Sequence, residues 1–145
     1  MLKALIINGP NLNLLGQRKN KLYPSMPLNE INDNISRWAG DNLIAVEFFQ
    51  ANCEGAIIDK IHQAIEKFDC LIINPGAYTH YSYAIRDAIE GVGIPAFEVH
   101  LTNISAREDF RRISVVAPVC QGSVSGFAET GYLLALMGAK LLLSS

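Results

Sequence analysis

Apolar runs of strand length recur along the chain. They cover residues 2–8, 43–49, 70–76, 94–100 and 114–119. Most of these runs are continuous rather than alternating, which is typical of strands that are buried on both faces of a parallel sheet. The pattern therefore predicts five parallel strands.

Helical spacing of apolar residues appears between the runs and after the last one. In the first such segment, Leu28, Ile31, Ile35 and Trp38 fall on one helical face, and similar stripes cover 57–68, 84–89 and the segment after Gly126. Alternation of strands and helices with short connections predicts an α/β fold. Five strands fit a flavodoxin-like doubly wound parallel sheet with helices on both faces. The length of 145 residues suits one catalytic domain spanning 1–145.

Polar side chains follow three of the predicted strands. The first strand ends in "NGPNLN", the third in "NPGAYTH" and the fourth in "EVHLTN". Ligands of such sheets bind beyond the carboxyl ends of the strands. We therefore expect these three ends to converge on one crevice.

Composition excludes several classes of protein. Half of the residues are hydrophobic and the formal net charge is −2, so global charge does not indicate a nucleic-acid binder. Three widely spaced cysteines argue against a disulfide framework and for a reducing, cytoplasmic compartment. No signal peptide is apparent, and the apolar C-terminal segment is too short for a membrane span of about 20 residues. The sequence has no CxxC or HExxH spacing, so it does not indicate a metal site.

The crevice is predicted to carry amides, imidazoles and positive charge. Asn11 and Asn74 can donate and accept hydrogen bonds, His80 and His100 can exchange protons near neutral pH, and Arg111 can bind an anion. Glycine-rich nucleotide loops and a serine-nucleophile motif are both missing from the sequence. This chemistry suits a small polyhydroxylated anion.

Five motifs extend the interpretation across nearly the whole chain. In order they are "NGPNLNLLG", "INPGAYTH", "IRDAI", "EVHLTNISARE" and "GFAETGYLLAL". Together they resemble the type II 3-dehydroquinate dehydratases. The resemblance implies reversible elimination of water from 3-dehydroquinate through an enolate, which gives 3-dehydroshikimate in the shikimate pathway of aromatic amino acid biosynthesis. It also implies no cofactor, no metal and a homododecamer built as a tetramer of trimers.

The resemblance assigns the acid and the base. The family's base is a tyrosine in the loop after the first strand, which is Tyr23 here. A phenol ordinarily has a pKa of about 10, so the positive charge of Arg18 is expected to favour its phenolate. The family's acid is the histidine that ends the fourth strand, His100. Glu98 lies two residues earlier, on the same side of that strand, where it can orient the imidazole.

Further roles concern the enolate and substrate binding. The family holds a water at the enolate with asparagines, which Asn11 and Asn74 match. Backbone amides that follow the acid bind the substrate carboxylate, which indicates Leu101 and Thr102. Binding of the substrate hydroxyls is implied for His80, Arg111 and, from a neighbouring subunit, Asp87.

Several polar residues also have a purely structural interpretation. Asparagines favour turns, and we interpret Asn8 and Asn13 as turn residues. Asp87 on sequence alone is a solvated helix residue. Arg107 either holds the loop after the fourth strand or seals a subunit contact.

The loop that holds Tyr23 departs from the family pattern. The family commonly has a glutamate, a proline and a glycine where this chain has Lys19, Asn20 and Pro24. The loop is therefore more cationic, and Pro24 restricts the backbone at Tyr23. We expect these changes to affect loop motion and pH optimum rather than the reaction.

Receiver domains and flavin carriers also have a flavodoxin-like fold, but the sequence does not favour either. A receiver domain needs an acidic cluster after the first strand and a phospho-acceptor aspartate after the third, where this chain has Asn8 and Asn74. A flavin carrier needs a phosphate-binding loop, which "GPNLNLLG" does not provide. A different lyase or isomerase that acts on a cyclic polyol acid remains an alternative.

Overall fold

A computed structural model describes residues 1–17 and 26–144. Within them the chain forms a five-stranded parallel sheet in the order β2-β1-β3-β4-β5. The strands are β1 Leu2–Asn8, β2 Ile44–Gln50, β3 Cys70–Asn74, β4 Ala96–His100 and β5 Gly122–Ser125. The α-helices are α1 Leu28–Asp41, α2 Glu54–Gln63, α3 Tyr83–Val92 and α4 Thr130–Leu143. The doubly wound α/β fold predicted from the sequence is confirmed.

The sheet separates two hydrophobic layers. Successive side chains of a strand point to opposite faces, so Ile6 packs in the layer with α1 and α4, and Ile7 in the layer with α2 and α3. Both isoleucines are fully buried. Because helices cover both faces, the central strands need apolar residues at every position, which explains their continuous apolar runs.

The prediction of a fifth strand at 114–119 was wrong. Val115 is buried, but its N–H donates to the carbonyl of Thr79 at 2.8 Å instead of to a strand. Pro118 has no N–H for a ladder and lies in a short 3₁₀ turn. The strand is formed instead by Gly122–Ser125, which pairs with β4 at the edge of the sheet.

None of the helices in the described part of the chain is long and apolar enough to cross a membrane.

Candidate active site

The carboxyl ends of β1, β3 and β4 border one cavity of about 170 Å³. The expected convergence of the three strand ends is therefore confirmed. Seven of the residues predicted for the site line this cavity: Asn11, Asn74, His80, His100, Leu101, Thr102 and Arg111.

A close approach of two backbones brings the ends of β1 and β3 together. The N–H of Gly9 donates to the carbonyl of Asn74 at 2.8 Å. A β-carbon on Gly9 would lie 2.4 Å from the carbonyl oxygen of Pro75, so only glycine fits there. Asn11 follows in the left-handed region with φ of 70°, and its N–H donates to Oδ1 of Asn52 at 3.0 Å. The tight turn places Asn11 at the cavity rim.

The imidazole of His100 contacts the carboxylate of Glu98 inside the protein. Glu98 is 1% exposed and His100 is 6% exposed. Nε2 of His100 and Oε2 of Glu98 form a short hydrogen bond, as their spacing along β4 predicts. An ionised carboxylate can only accept, so Nε2 is assigned as the donor. Nδ1 is then the ring nitrogen that can serve a ligand in the cavity.

Two hydroxyl groups also donate to Glu98. Thr79 donates to Oε2, and Ser114 lies 2.8 Å from Oε2 and 2.9 Å from Oε1. Burial acts to raise the pKa of Glu98, but the hydrogen bond and charge of His100 and the two hydroxyl donors outweigh it. The pKa of Glu98 therefore lies below its usual value, and the side chain is a carboxylate at neutral pH.

Asn74 is held in one orientation by its neighbours. Its Oδ1 accepts from the N–H of Gly76 at 3.2 Å, and its Nδ2 donates to the hydroxyl of Tyr132 at 3.2 Å. That hydroxyl donates in turn to Oδ1 of Asn8. Asn8 is buried at the end of β1, so its interpretation as a turn residue was wrong. Burial raises the pKa of Tyr132, which stays a neutral phenol.

His80 and two arginines contribute to the same cavity. Nδ1–H of His80 donates to the carbonyl of Ile113 at 2.8 Å. Burial lowers the pKa of His80, which favours its neutral form. Arg111 donates from Nε to Glu108 at 2.5 Å. Arg107 also lines the cavity, and its Nη1 lies 3.5 Å from Oγ1 of Thr102 in the loop after β4. This contact favours the first of its two predicted roles, which is to hold that loop.

One predicted residue lies apart from this group, and two fall in a part of the chain that the structure does not describe. Asp87 is exposed on α3 and does not border the cavity of its own chain. Arg18 and Tyr23 fall outside the described residues. Within residues 1–17 and 26–144, no cluster of three histidine, cysteine or acidic side chains is placed to hold a metal ion.

Comparison with known proteins places the chain in a family. The family described as Dehydroquinase class II matches residues 2–140. A 3-dehydroquinate dehydratase of Caldicellulosiruptor bescii is 57% identical over 99% of both chains. The crystal structure of a type II dehydroquinase from Butyrivibrio crossotus has a TM-score of 0.94 at 47% identity, and covers 96% of this chain and 97% of its own. That from Propionibacterium acnes has a TM-score of 0.89 at 34% identity, with coverage of 97% and 99%. The chain therefore belongs to the class II dehydroquinase family.

Proposed function

We propose that this protein is a 3-dehydroquinate dehydratase, a hydro-lyase of the shikimate pathway. A single catalytic domain eliminates water from 3-dehydroquinate, reversibly and through an enolate, to give 3-dehydroshikimate. The observation that carries the proposal is the buried Glu98–His100 pair, which borders a polar cavity in a chain of this family.

The first step removes a proton from the carbon beside the ketone. Tyr23 is the base, and Arg18 favours its phenolate through positive charge. Arg107 and Arg111 border the cavity and add to the positive potential that receives an anionic substrate.

The second requirement is stabilisation of the enolate oxygen. Asn11 and Asn74 hold a water that donates to this oxygen. The support for Asn74 is its fixed amide, which is bonded to Gly76 on one side and to Tyr132 on the other. A preorganised amide needs no reorientation while charge develops, and this lowers the barrier.

The last step expels the hydroxyl group as water. His100 donates the proton from Nδ1, because Nε2 is engaged by Glu98. Glu98 stays ionised, stabilises the imidazolium and fixes the plane of the ring. The reaction has no redox step, and these residues supply the acid, the base and the polar groups without a cofactor or a metal.

Substrate binding completes the site. Backbone amides of Leu101 and Thr102 bind the carboxylate, and His80 and Arg111 bind hydroxyl groups. Asp87 reaches the site of a neighbouring subunit in a cytoplasmic homododecamer. Its exposed position, away from the cavity of its own chain, supports a role across subunits.

Conversion of 3-dehydroquinate by the purified protein tests the proposal, because the product's conjugated enone absorbs ultraviolet light. His62 is exposed on α2 and provides a matched control for His100. We expect the wild type and His62→Ala to convert the substrate, and His100→Ala to lose about 100-fold or more in kcat. A folded wild type that leaves 3-dehydroquinate unchanged would overturn the proposal.

The assembly is tested separately by light scattering on the same samples. The proposal expects a dodecamer, and expects Asp87→Ala to lower activity without dissociating it. Full activity in a monomer would contradict a role for Asp87 across subunits.

A further inference from the structure

The carboxylate of Glu98 receives more hydrogen bonds than a pair with His100 requires. Thr79, which is fully buried, donates to Oε2, and Ser114 lies within 2.9 Å of both carboxylate oxygens. Thr79 precedes His80 in the segment after β3, while Ser114 belongs to the loop before β5. Two separate segments therefore converge on one acid.

The hydrogen bonds around Ser114 fix the direction of its proton. Its Oγ accepts from the N–H of Val116 at 3.2 Å and from that of Ala117 at 2.9 Å. A hydroxyl has a single proton to donate. Oγ1 of Thr79 lies 3.1 Å from Oγ of Ser114, but the carboxylate of Glu98 is closer, at 2.8 Å, and is charged, so we assign the proton of Ser114 to Glu98. A carboxyl group that accepts from two hydroxyls and one imidazole is held in its ionised form.

Burial of Glu98 opposes its ionised form. A buried carboxylate beside an imidazolium is costly to desolvate, and the pair can become neutral if the proton moves from Nε2 of His100 to Glu98. Neutral imidazole cannot act as the acid. Hydroxyl donors stabilise the charged form of Glu98 more than the neutral form, so they oppose this transfer.

We propose that Thr79 and Ser114 are positioning residues that keep the shared proton on His100 by holding Glu98 as a carboxylate. This inference rests on the proposed role of His100 as the acid. Neither hydroxyl residue is among those that border the substrate cavity, so both act through Glu98. Their effect belongs to proton transfer rather than to substrate binding.

Other charged and titratable groups near the pair are retained in the test variants. Burial and the charge of Glu98 raise the pKa of Cys120 to about 12, so this thiol stays neutral. Among the described residues, the other such groups line either the substrate cavity or a second cavity of about 220 Å³ that Glu98 and His100 also border. These groups are His80, Arg107, Arg111 and Arg112.

The test compares Thr79→Val, which removes the hydroxyl at nearly constant shape, with Thr79→Ser, which keeps it. We expect Thr79→Val to lower kcat about tenfold or more, the size expected for one hydrogen bond to a charged group, with KM unchanged. The acidic limb of the kcat profile moves to higher pH, because Glu98 becomes easier to protonate. The pH midpoint at which the carbon-13 signal of the Glu98 carboxyl titrates also moves to higher pH. Thr79→Ser restores both.

Ser82→Ala is the matched control. Ser82 is also buried and donates to a carboxylate, that of Glu54, at 2.5 Å. Ser82→Ala is expected to lose stability and keep the wild-type pH profile of kcat, because the carboxylate of Glu54 is not paired with His100. If Thr79→Val fails to fold, Ser114→Ala carries the same expectations for kcat and for Glu98.

The inference would be overturned if, in the variants, the acidic limb of the kcat profile and the titration midpoint of Glu98 stay at their wild-type pH values. Equal impairment in Thr79→Ser would do the same, since it would assign the effect to packing. Absence of turnover in the wild type would refute the proposed function instead, while the titration of Glu98 would still decide whether the hydroxyls hold it as a carboxylate.

Discussion

Replacement of Tyr132 by phenylalanine removes one oxygen from the centre of the molecule. The side chain is 0% exposed, and its hydroxyl joins the side chains of Asn8 and Asn74 across two strand ends. Phenylalanine fills nearly the same volume, so the change isolates the hydrogen bonds from the packing.

The expected loss follows from the two groups left behind. Oδ1 of Asn8 and Nδ2 of Asn74 lose their Tyr132 partner while both side chains stay buried. Each unsatisfied buried group costs about 1–3 kcal/mol, so the free energy of unfolding should fall by at least about 2 kcal/mol. With a urea slope of about 1.5 kcal/mol per molar, the midpoint should drop by about 1 M or more. We also expect kcat to fall, because the amide of Asn74 is then held by Gly76 alone.

Urea unfolding followed by circular dichroism measures the effect, at one protein concentration because subunit association contributes to stability. Tyr81→Phe is the matched control, since Tyr81 is 58% exposed. Equal midpoints for Tyr132→Phe and Tyr81→Phe would refute the reasoning that the buried hydroxyl holds the two asparagines.

Three further predictions follow from the site. Gly9→Ala should unfold at a lower temperature than the wild type, because its β-carbon would meet the Pro75 carbonyl. Gly40→Ala on α1 is the control, since it has open space and should gain up to about 1 kcal/mol in free energy of unfolding. A Gly9→Ala variant that melts at the wild-type temperature would show that the contact relaxes. Tyr23→Phe should abolish turnover yet bind a cyclic polyol carboxylate normally by calorimetry, and near-normal kcat would remove Tyr23 from the role of base. Because the pKa of Glu98 is depressed below 4.5, its contribution to stability is present above that pH and is lost as the pH falls further. Glu98→Gln should therefore flatten the acid side of the curve of unfolding free energy against pH. An unchanged slope in this variant would contradict the prediction.

Much of the fold was predictable because buried parallel strands carry continuous apolar runs. The exception is β5, an edge strand whose residues "GSVS" show no apolar pattern. The apolar residues that suggested a strand at 114–119 are explained by Val115 and Val116, which are buried as part of a loop. Burial alone does not distinguish a strand from a loop that is pinned by hydrogen bonds.

The candidate site was predictable where position in the fold determines proximity. Strand ends meet at one edge of a sheet, and a spacing of two residues places Glu98 and His100 on one side of a strand. The contacts that hold these groups were not predictable. Tyr132 and Asn8 are 124 positions apart. Thr79 lies within "INPGAYTH", but neither that motif nor the sequence around Ser114 indicates a contact with Glu98.

The central claim is that the cavity at the ends of β1, β3 and β4 dehydrates 3-dehydroquinate with His100 as the acid. A time course by proton NMR tests it most directly, because the vinyl proton of 3-dehydroshikimate is absent from the substrate. The account predicts that this signal grows with the wild type and fails to grow with His100→Ala at the same concentration. An equal rate of growth for the two proteins, or none with a folded wild type, would contradict it.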